Sequence, residues 1–139
     1  MLYSESVNFA LLVPNFRIGE TAAMTNYIRN FSDIQIYSDQ KSQNQTCRDI
    51  MPQGIVPQLA IGYNILEGPG RTGLGSHPEW HQVFVVVQGA GTLMSGTELT
   101  PVQAPCVIHI PPGTDHDMLV KQGQRIEYVF INKYLGVSL

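Results

Sequence analysis

The sequence predicts an all-β fold, a small barrel or sandwich, preceded by a segment of different character. From about residue 57, apolar segments of strand length follow one another, separated by turns rich in Gly and Pro. The strongest segment, residues 82–88, contains an unbroken apolar run, so both faces of that strand should be covered. Short strands with this spacing and punctuation are typical of sandwiches and small barrels.

Residues 1–56 are predicted to form an N-terminal extension that packs on the barrel or on a partner subunit. Apolar runs, helical spacing, alternation and a polar stretch predict four elements in it: a strand at 7–13, a short helix at 21–31, a strand at 34–37 and a surface loop at 38–46. The remaining residues, 57–139, are assigned to the barrel.

The first barrel strand is predicted to have one bulky and one small face. Its bulky residues alternate with small ones: Leu59, Ile61, Tyr63 and Ile65 against Ala60, Gly62 and Asn64. Successive strand residues point to opposite faces. The bulky face is therefore expected to pack, and the small face leaves room for a cavity or a close neighbour. Residues 106–110 and 126–131 are predicted to be later strands, the former ended by Pro111-Pro112-Gly113.

Composition limits the classes of partner. The chain has 139 residues, about one domain, and its net charge of −3 offers no basic face, so no nucleic-acid partner is expected. No apolar run reaches the roughly 18 residues of a membrane span, so no membrane partner is expected either. The first residues lack the basic start of a signal peptide, and Cys47 and Cys106 are expected to be reduced, which together favour a cytoplasmic location.

All four histidines fall in two short clusters, HPEWHQ at 77–82 and HIPPGTDH at 109–116. Histidine is the commonest metal ligand because its neutral imidazole offers a lone pair near neutral pH. If the fold brings the two clusters together, they can build one metal site.

These clusters resemble the two motifs of single-domain cupins, which are small jelly-roll barrels. In the first motif, His77 takes the second His position, Gln82 the usual Glu position and Gly89 the closing Gly, whereas Gly75 stands where the first His is expected. In the second motif, Pro111, Gly113 and His116 match, whereas Pro105 and Val120 replace the usual Gly and Asn. The resemblance covers about residues 58–131 and implies a cupin jelly-roll barrel following the extension.

The resemblance implies a divalent metal ion (Zn, Mn, Fe or Ni) held by His77, Gln82 and His116. Gln offers a neutral carbonyl oxygen in place of a carboxylate, which leaves the metal more cationic and favours Lewis-acid chemistry. If Gln82 points inward, His81 on the same strand points outward. Two alternatives supply the missing first ligand: His81, re-aimed by a bulge, or the Glu79 carboxylate.

Other residues are candidates for the pocket. His109 is either a pocket-lining acid or base or a partly buried side chain bonded to backbone. Tyr63 is a candidate pocket residue or a core residue, and Arg71 is a candidate clamp for a substrate carboxylate. Asp115 and Asp117, beside His116, are candidate acceptors behind the metal ligands. Further candidates for lining the pocket or its mouth are Trp80, Met118 and Tyr128.

The predicted function is that of a metal-dependent enzyme acting on a small substrate with a carbonyl or carboxylate group, of isomerase, lyase, cyclase or oxygenase type. The alternative is a non-catalytic cupin that binds a small molecule and retains only a vestigial metal site. The outward valines of residues 82–88 leave an apolar face that predicts a homodimer.

Overall fold

The computed structural model describes residues 28–136, which are nearly all β-structure. Phe31–Asp33 forms a 3-10 turn, and eight strands follow: β1 (Ile36–Tyr37), β2 (Gln43–Val56), β3 (Leu59–Arg71), β4 (Trp80–Ser95), β5 (Glu98–Gln103), β6 (Cys106–Ile110), β7 (Asp117–Val120) and β8 (Arg125–Tyr134). No helix in this range is long and apolar enough to cross a membrane.

The strands form one antiparallel sheet that closes into a barrel. Strand β8 pairs with β3 on one side and with β4 on the other. At the far ends of the same two strands, β7 pairs with Gly70 and Arg71 of β3 and with residues 92–94 of β4. Strands β5 and β6 extend the sheet from β4, and β1 and β2 extend it from β3. The predicted β-barrel is therefore confirmed.

Side chains along each strand alternate between the inside and the outside of the barrel. On β4, Gln82, Phe84 and Val86 are buried inside, whereas the intervening residues face outward, as the sequence predicts. The buried apolar core combines residues of β3 to β8: Leu66, Phe84, Val86, Val102, Ile110, Met118, Val120, Ile126 and Tyr128. Each large side chain of this kind contributes about 1.5–3 kcal/mol on burial, so the interior side of the sheet stabilises the barrel.

Strand β3 turns its small face inward. Ala60, Gly62 and Asn64 are buried, and their bulky neighbours lie on the outer face. A Cβ atom placed on Gly62 would lie 2.0 Å from Cζ of Phe130, so the ring fills the space that glycine leaves. Beside this ring the small face also borders the interior cavity described below, as expected.

The N-terminal part of the described chain differs in detail from the expectation. The polar segment 38–46 is a loop only as far as Ser42, because Gln43 begins β2, which pairs with β3. Residues 36–56 therefore contribute two strands to the barrel sheet. The predicted strand at 7–13 and residues 21–27 of the predicted helix lie outside the described residues. Residues 28–30 are irregular, and the 3-10 turn starts at Phe31.

Candidate metal and ligand site inside the barrel

A cavity of about 170 Å³ lies inside the barrel, between β2, β3, β4 and β8 and the loop before β4. The two histidine clusters meet there, because His77 and His116 both line it together with Gln82. Of the seven predicted site residues, the structure brings these three together and places the other four elsewhere.

His116 is held by contacts on both of its ring nitrogens. Its Nδ1 lies 2.9 Å from the carbonyl oxygen of Thr114 and donates to it. The other ring nitrogen, Nε2, faces the cavity and lies 3.0 Å from Oε1 of Gln82. The backbone is fixed as well, since His116 and Gly75 exchange hydrogen bonds of 2.9 and 3.0 Å. The ring is therefore positioned as a ligand or as a proton carrier.

Gln82 is oriented by Asn132, a residue that the sequence analysis missed. The Gln82 Nε2 atom donates to Oδ1 of Asn132 at 2.9 Å, which turns Oε1 toward His116 Nε2, 3.0 Å away. Asn132 pairs directly with Gln82 across β4 and β8 and lines the cavity. Its place in the inward phase of β8, two residues after Phe130, is the signal that would have indicated it.

His77 forms the adjacent wall of the cavity. Its ring stacks on Trp80 at 4.5 Å between centroids and lies 5.1 Å from the His116 ring, edge to face. Burial, and then the charges of His116 and Lys41, lower the pKa of His77 below its ordinary value of 6.5. The imidazole is therefore neutral at pH 7 and has a lone pair available.

Lys41 occupies the neighbourhood of the absent first ligand. A Cβ atom placed on Gly75 would lie 2.8 Å from Lys41 Nζ and 3.8 Å from Cε1 of His77. The ammonium also donates to the carbonyl oxygen of Leu74, at 3.5 Å. Lys41 belongs to the polar segment before β2, and no pattern in the sequence connects that segment with the motif at Gly75. A positive charge therefore stands at the cavity where the cupin motif has a histidine.

The donor set fits a divalent ion, although it is short of strong donors. With metal–ligand bonds of about 2.1 Å, two donors at a right angle lie about 3.0 Å apart, which matches the separation of His116 Nε2 and Gln82 Oε1. His77 lines the same cavity, with its ring centroid 5.1 Å from that of His116. Within residues 28–136, no group of three or more His, Cys, Asp and Glu side chains gathers to form a stronger site. An ion held here would keep open positions for another ligand.

Two buried polar atoms of cavity-lining residues have no hydrogen-bond partner within the described part of the chain. They are Oε1 of Gln45, whose residue is 7% exposed, and Nε1 of Trp80. An unpaired buried polar group costs about 1–3 kcal/mol, and neither atom has an accessible surface through which it could bond a molecule in the cavity without rearrangement.

Another wall of the cavity is formed by three polar side chains that hydrogen-bond to one another. Asn64 Nδ2 donates to the Tyr128 hydroxyl at 3.0 Å, and the Cys47 thiol donates to Oδ1 of Asn64. Burial raises the pKa of Tyr128, so its phenol stays neutral. This wall offers fixed dipoles and no charge. Cys47 and Cys106 are both free thiols, as expected.

His81 and His109 do not enter the barrel. His81 follows the outward phase of β4, and His109 does the same on β6 next to the buried Ile110. Their rings contact each other on the outer face. Two predictions are therefore wrong: His81 does not replace the missing first ligand, and His109 does not line the pocket. Glu79, the other alternative ligand, is exposed and does not line the cavity.

Tyr63 and Arg71 are also displaced from their predicted roles. Tyr63 lies on the outer face, where its hydroxyl donates to Glu127 Oε1 at 3.0 Å and its ring packs on Phe31. Arg71 binds the buried carboxylate of Asp117 and does not line the cavity. The guanidinium is therefore engaged within the protein, and among the described residues Lys41 is the cation that lines the cavity.

Comparison with solved structures identifies the fold. The polyketide cyclase RemF from Streptomyces resistomycificus superposes with a TM-score of 0.69 at 16% identity, over 80% of this chain and 86% of that one. A predicted oxalate decarboxylase from Thermotoga maritima gives 0.69 at 14% identity, over 78% and 99%. A cupin 2 conserved barrel domain protein from Salinispora arenicola gives 0.64 at 19% identity, over 76% and 86%. No protein-family model and no curated protein matches the sequence. The chain thus has the cupin barrel fold that its motifs predicted.

Proposed function

We propose that this cupin-fold chain is an enzyme that binds a small carbonyl- or carboxylate-bearing substrate in the barrel cavity, beside a divalent ion held by His77, Gln82 and His116. One observation supports this proposal above all. The three side chains line the same cavity, the pKa of His77 is lowered, and Nε2 of His116 lies 3.0 Å from Oε1 of Gln82. When bound, the ion would act as a Lewis acid that polarises a substrate carbonyl.

The other lining groups would hold the substrate. Lys41 lines the cavity and supplies a positive charge for a carboxylate. Typical ligand pockets measure about 300–1,000 Å³, so a cavity of about 170 Å³ suits a small molecule. The rings of His77 and Trp80, stacked with centroids 4.5 Å apart, form one wall of the cavity.

The reaction class is an isomerisation, elimination, cyclisation or oxygenation. Among the solved structures of the same fold, one is a polyketide cyclase and one a predicted oxalate decarboxylase. These neighbours support an enzyme, and one fold hosts many chemistries. A neutral amide at Gln82 favours polarisation of a carbonyl over stabilisation of a highly oxidised metal.

The alternative is a non-catalytic cupin that binds an anionic small molecule without metal. The position of Lys41 favours this alternative, because an ammonium beside His77 repels a dication and attracts an anion. In that case Gln82 and the two cavity histidines would hydrogen-bond the ligand directly.

Metal analysis decides between the two. Untagged protein, purified without chelators and dialysed, is expected to contain close to one equivalent of divalent metal. His116→Ala should lose it, whereas the double variant His81→Ala/His109→Ala, altered only on the outer face, should keep it. Metal-free wild-type protein would contradict metal dependence and leave the anion-binding alternative.

Binding of small carboxylates tests the role of Lys41 separately. A panel of mono- and dicarboxylates, followed by calorimetry, should contain ligands that bind wild-type protein and not Lys41→Met. Lys121→Met removes an exposed lysine outside the cavity and is the matched control. If both variants bind the same ligands as the wild type, Lys41 does not contact the substrate.

The homodimer expected from the sequence stays a prediction. On the outer face of the sheet, Val87 is 48% exposed and Val107 is 67% exposed. A second copy of the chain is proposed to cover such residues. Sedimentation at micromolar concentration should give the mass of two chains, and a single-chain mass would contradict the proposal.

A cytoplasmic location is likewise proposed. It rests on the two free thiols, which persist in reducing compartments. Fractionation of cells expressing the native protein, with antibody detection, tests it.

A further inference from the structure

We propose that His81 and His109 form a second metal site, on the outer face of the barrel and independent of the cavity. It would take a divalent cation that prefers nitrogen ligands, such as Zn²⁺ or Ni²⁺. These two residues and the two cavity histidines account for all four histidines of the chain. The proposal therefore assigns the pair that the interior site leaves unused.

Strand register brings the two rings together. Val83 pairs with His109 across β4 and β6, and His81 lies two residues before Val83 on the same face. His81 and His109 are thus diagonal neighbours on adjacent antiparallel strands, a spacing that long or aromatic side chains span. Both histidine side chains point outward, because the adjacent residues on their strands, Gln82 and Ile110, are buried in the barrel.

The two ring nitrogens lie close enough together to bind one cation. Nδ1 of His81 lies 2.9 Å from Nε2 of His109, and the rings are nearly parallel, at 20° with centroids 5.2 Å apart. The centroid separation equals the N···N distance plus the two ring radii, so each nitrogen points at the other and the contact is an N–H···N hydrogen bond. An ion would replace the shared proton once the two exposed rings turn so that both lone pairs converge on it. Two nitrogens on one ion, with bonds of about 2.0–2.1 Å, lie about 2.9 Å apart at a right angle and about 3.3 Å apart at the tetrahedral angle.

The surroundings leave the site open on its solvent side. The contact between the two rings is exposed, so little desolvation opposes entry of an ion. Lys133 on β8 is the strand partner of His81 on β4. Its ammonium is engaged elsewhere, because it donates to Oε1 of Gln58 at 3.0 Å and to the Tyr134 carbonyl at 3.1 Å. Within the described residues, no third His, Cys, Asp or Glu joins the pair. The remaining positions of the ion would be filled by water or by an external ligand.

The ligand chemistry selects the cation. Two imidazoles suit Zn²⁺, Ni²⁺ and Cu²⁺, whereas Mg²⁺ and Ca²⁺ require oxygen ligands. A site with only two protein ligands exchanges its ion readily. It is therefore expected to fill when metal is added and to empty on dialysis, unlike the cavity site.

Retention of untagged protein on immobilised Ni²⁺ tests the proposal directly. Wild-type protein should be retained and elute with imidazole. His81→Ala and His109→Ala should each pass through the column, whereas His77→Ala and His116→Ala, altered inside the barrel, should be retained like the wild type. Wild-type protein that passes through, or retention unchanged in both outer-face variants, would overturn the proposal.

A solution titration separates the two sites. In a His116→Ala background, Zn²⁺ alone should bind with a stoichiometry of one, and adding His81→Ala should abolish that binding. The result does not depend on whether the cavity holds a metal, so the two proposals fail separately. Zinc binding that persists in the His81→Ala/His116→Ala protein would place the ion elsewhere and contradict the assignment.

Discussion

The fully buried carboxylate of Asp117 binds the partly exposed guanidinium of Arg71. Nε of Arg71 donates to Oδ2 at 2.9 Å, and Oδ1 accepts from the Thr72 hydroxyl at 3.0 Å and from the Gly73 amide at 2.9 Å. This cluster ties the end of β3 to β7, directly beside the candidate ligand His116. The charge of the carboxylate is thus compensated by one cation and several donors.

Arg71→Ala should therefore destabilise the fold markedly. Removing the cation from a buried ion pair costs about 3–5 kcal/mol, and the partial exposure of Arg71 and the remaining donors Thr72 and Gly73 favour the lower end of that range. Urea unfolding measures the loss. The control is Arg125→Ala, whose partners on the outer face are Glu67, 64% exposed, and Glu127, 12% exposed. Its removal should cost less, because Glu127 is not fully buried and still accepts a hydrogen bond from the Tyr63 hydroxyl. Equal losses in the two variants would contradict this assignment.

Gly62→Ala should also destabilise the barrel, by overpacking. The added methyl group would lie 2.0 Å from Phe130 Cζ, so the ring must shift, at a cost of about 1–3 kcal/mol. Phe130→Leu introduced with Gly62→Ala should recover part of the loss, and a double-mutant cycle of unfolding free energies measures that coupling. Strictly additive effects would show that the ring is not the obstacle.

The sequence allowed much of the barrel interior to be predicted. The alternation on β4 placed Gln82 inside and His81 outside, and the small face of β3 indicated where space remains. The cupin motifs indicated that His77 and His116 meet. Each of these predictions uses local periodicity or motif spacing, and both are readable from one strand at a time.

The contacts that cross the barrel could not be predicted in this way. Asn132 orients Gln82 only because β8 pairs with β4 in one register, and Lys41 reaches Gly75 from a segment of the chain 34 residues earlier. Arg71 was expected to bind a substrate because nothing in the sequence identifies Asp117 as its partner. Charged side chains near a site are therefore assigned reliably only when the pairing of strands is known.

The two cysteines should differ in reactivity. Cys47 is 4% exposed, and burial raises the pKa of its thiol to about 12, so thiolate is scarce at pH 8. Cys106 is partly exposed. A thiol reagent such as 5,5′-dithiobis(2-nitrobenzoate) should modify one cysteine per native chain and two after unfolding in urea. Rapid modification of both thiols in native protein would contradict the burial of Cys47.

Stability should fall as the pH drops through the range in which His77 titrates. Because the folded state lowers the pKa of His77 below 6.5, the unfolded chain takes up a proton at a higher pH than the folded chain. Unfolding is then favoured as the pH falls below about 6.5, and this contribution is absent above it. Thermal unfolding at pH 7.5 and 5.5 should show a larger decrease in Tm for the wild type than for His77→Gln. Parallel decreases would assign the pH dependence to other groups.

Restoring a histidine at position 75 should strengthen metal binding in the cavity. Gly75 has no backbone conformation that requires glycine, and the nearest obstacle is the flexible end of Lys41, 2.8 Å from the new Cβ atom. Gly75→His should therefore fold and raise Zn²⁺ affinity. Lys41→Ala combined with it should raise the affinity further, because an additional strong donor enters and a repelling cation leaves. Both are measured in a His81→Ala/His109→Ala background, so that only the cavity contributes. Unchanged zinc affinity in both proteins would show that position 75 does not face the same point as His77, Gln82 and His116.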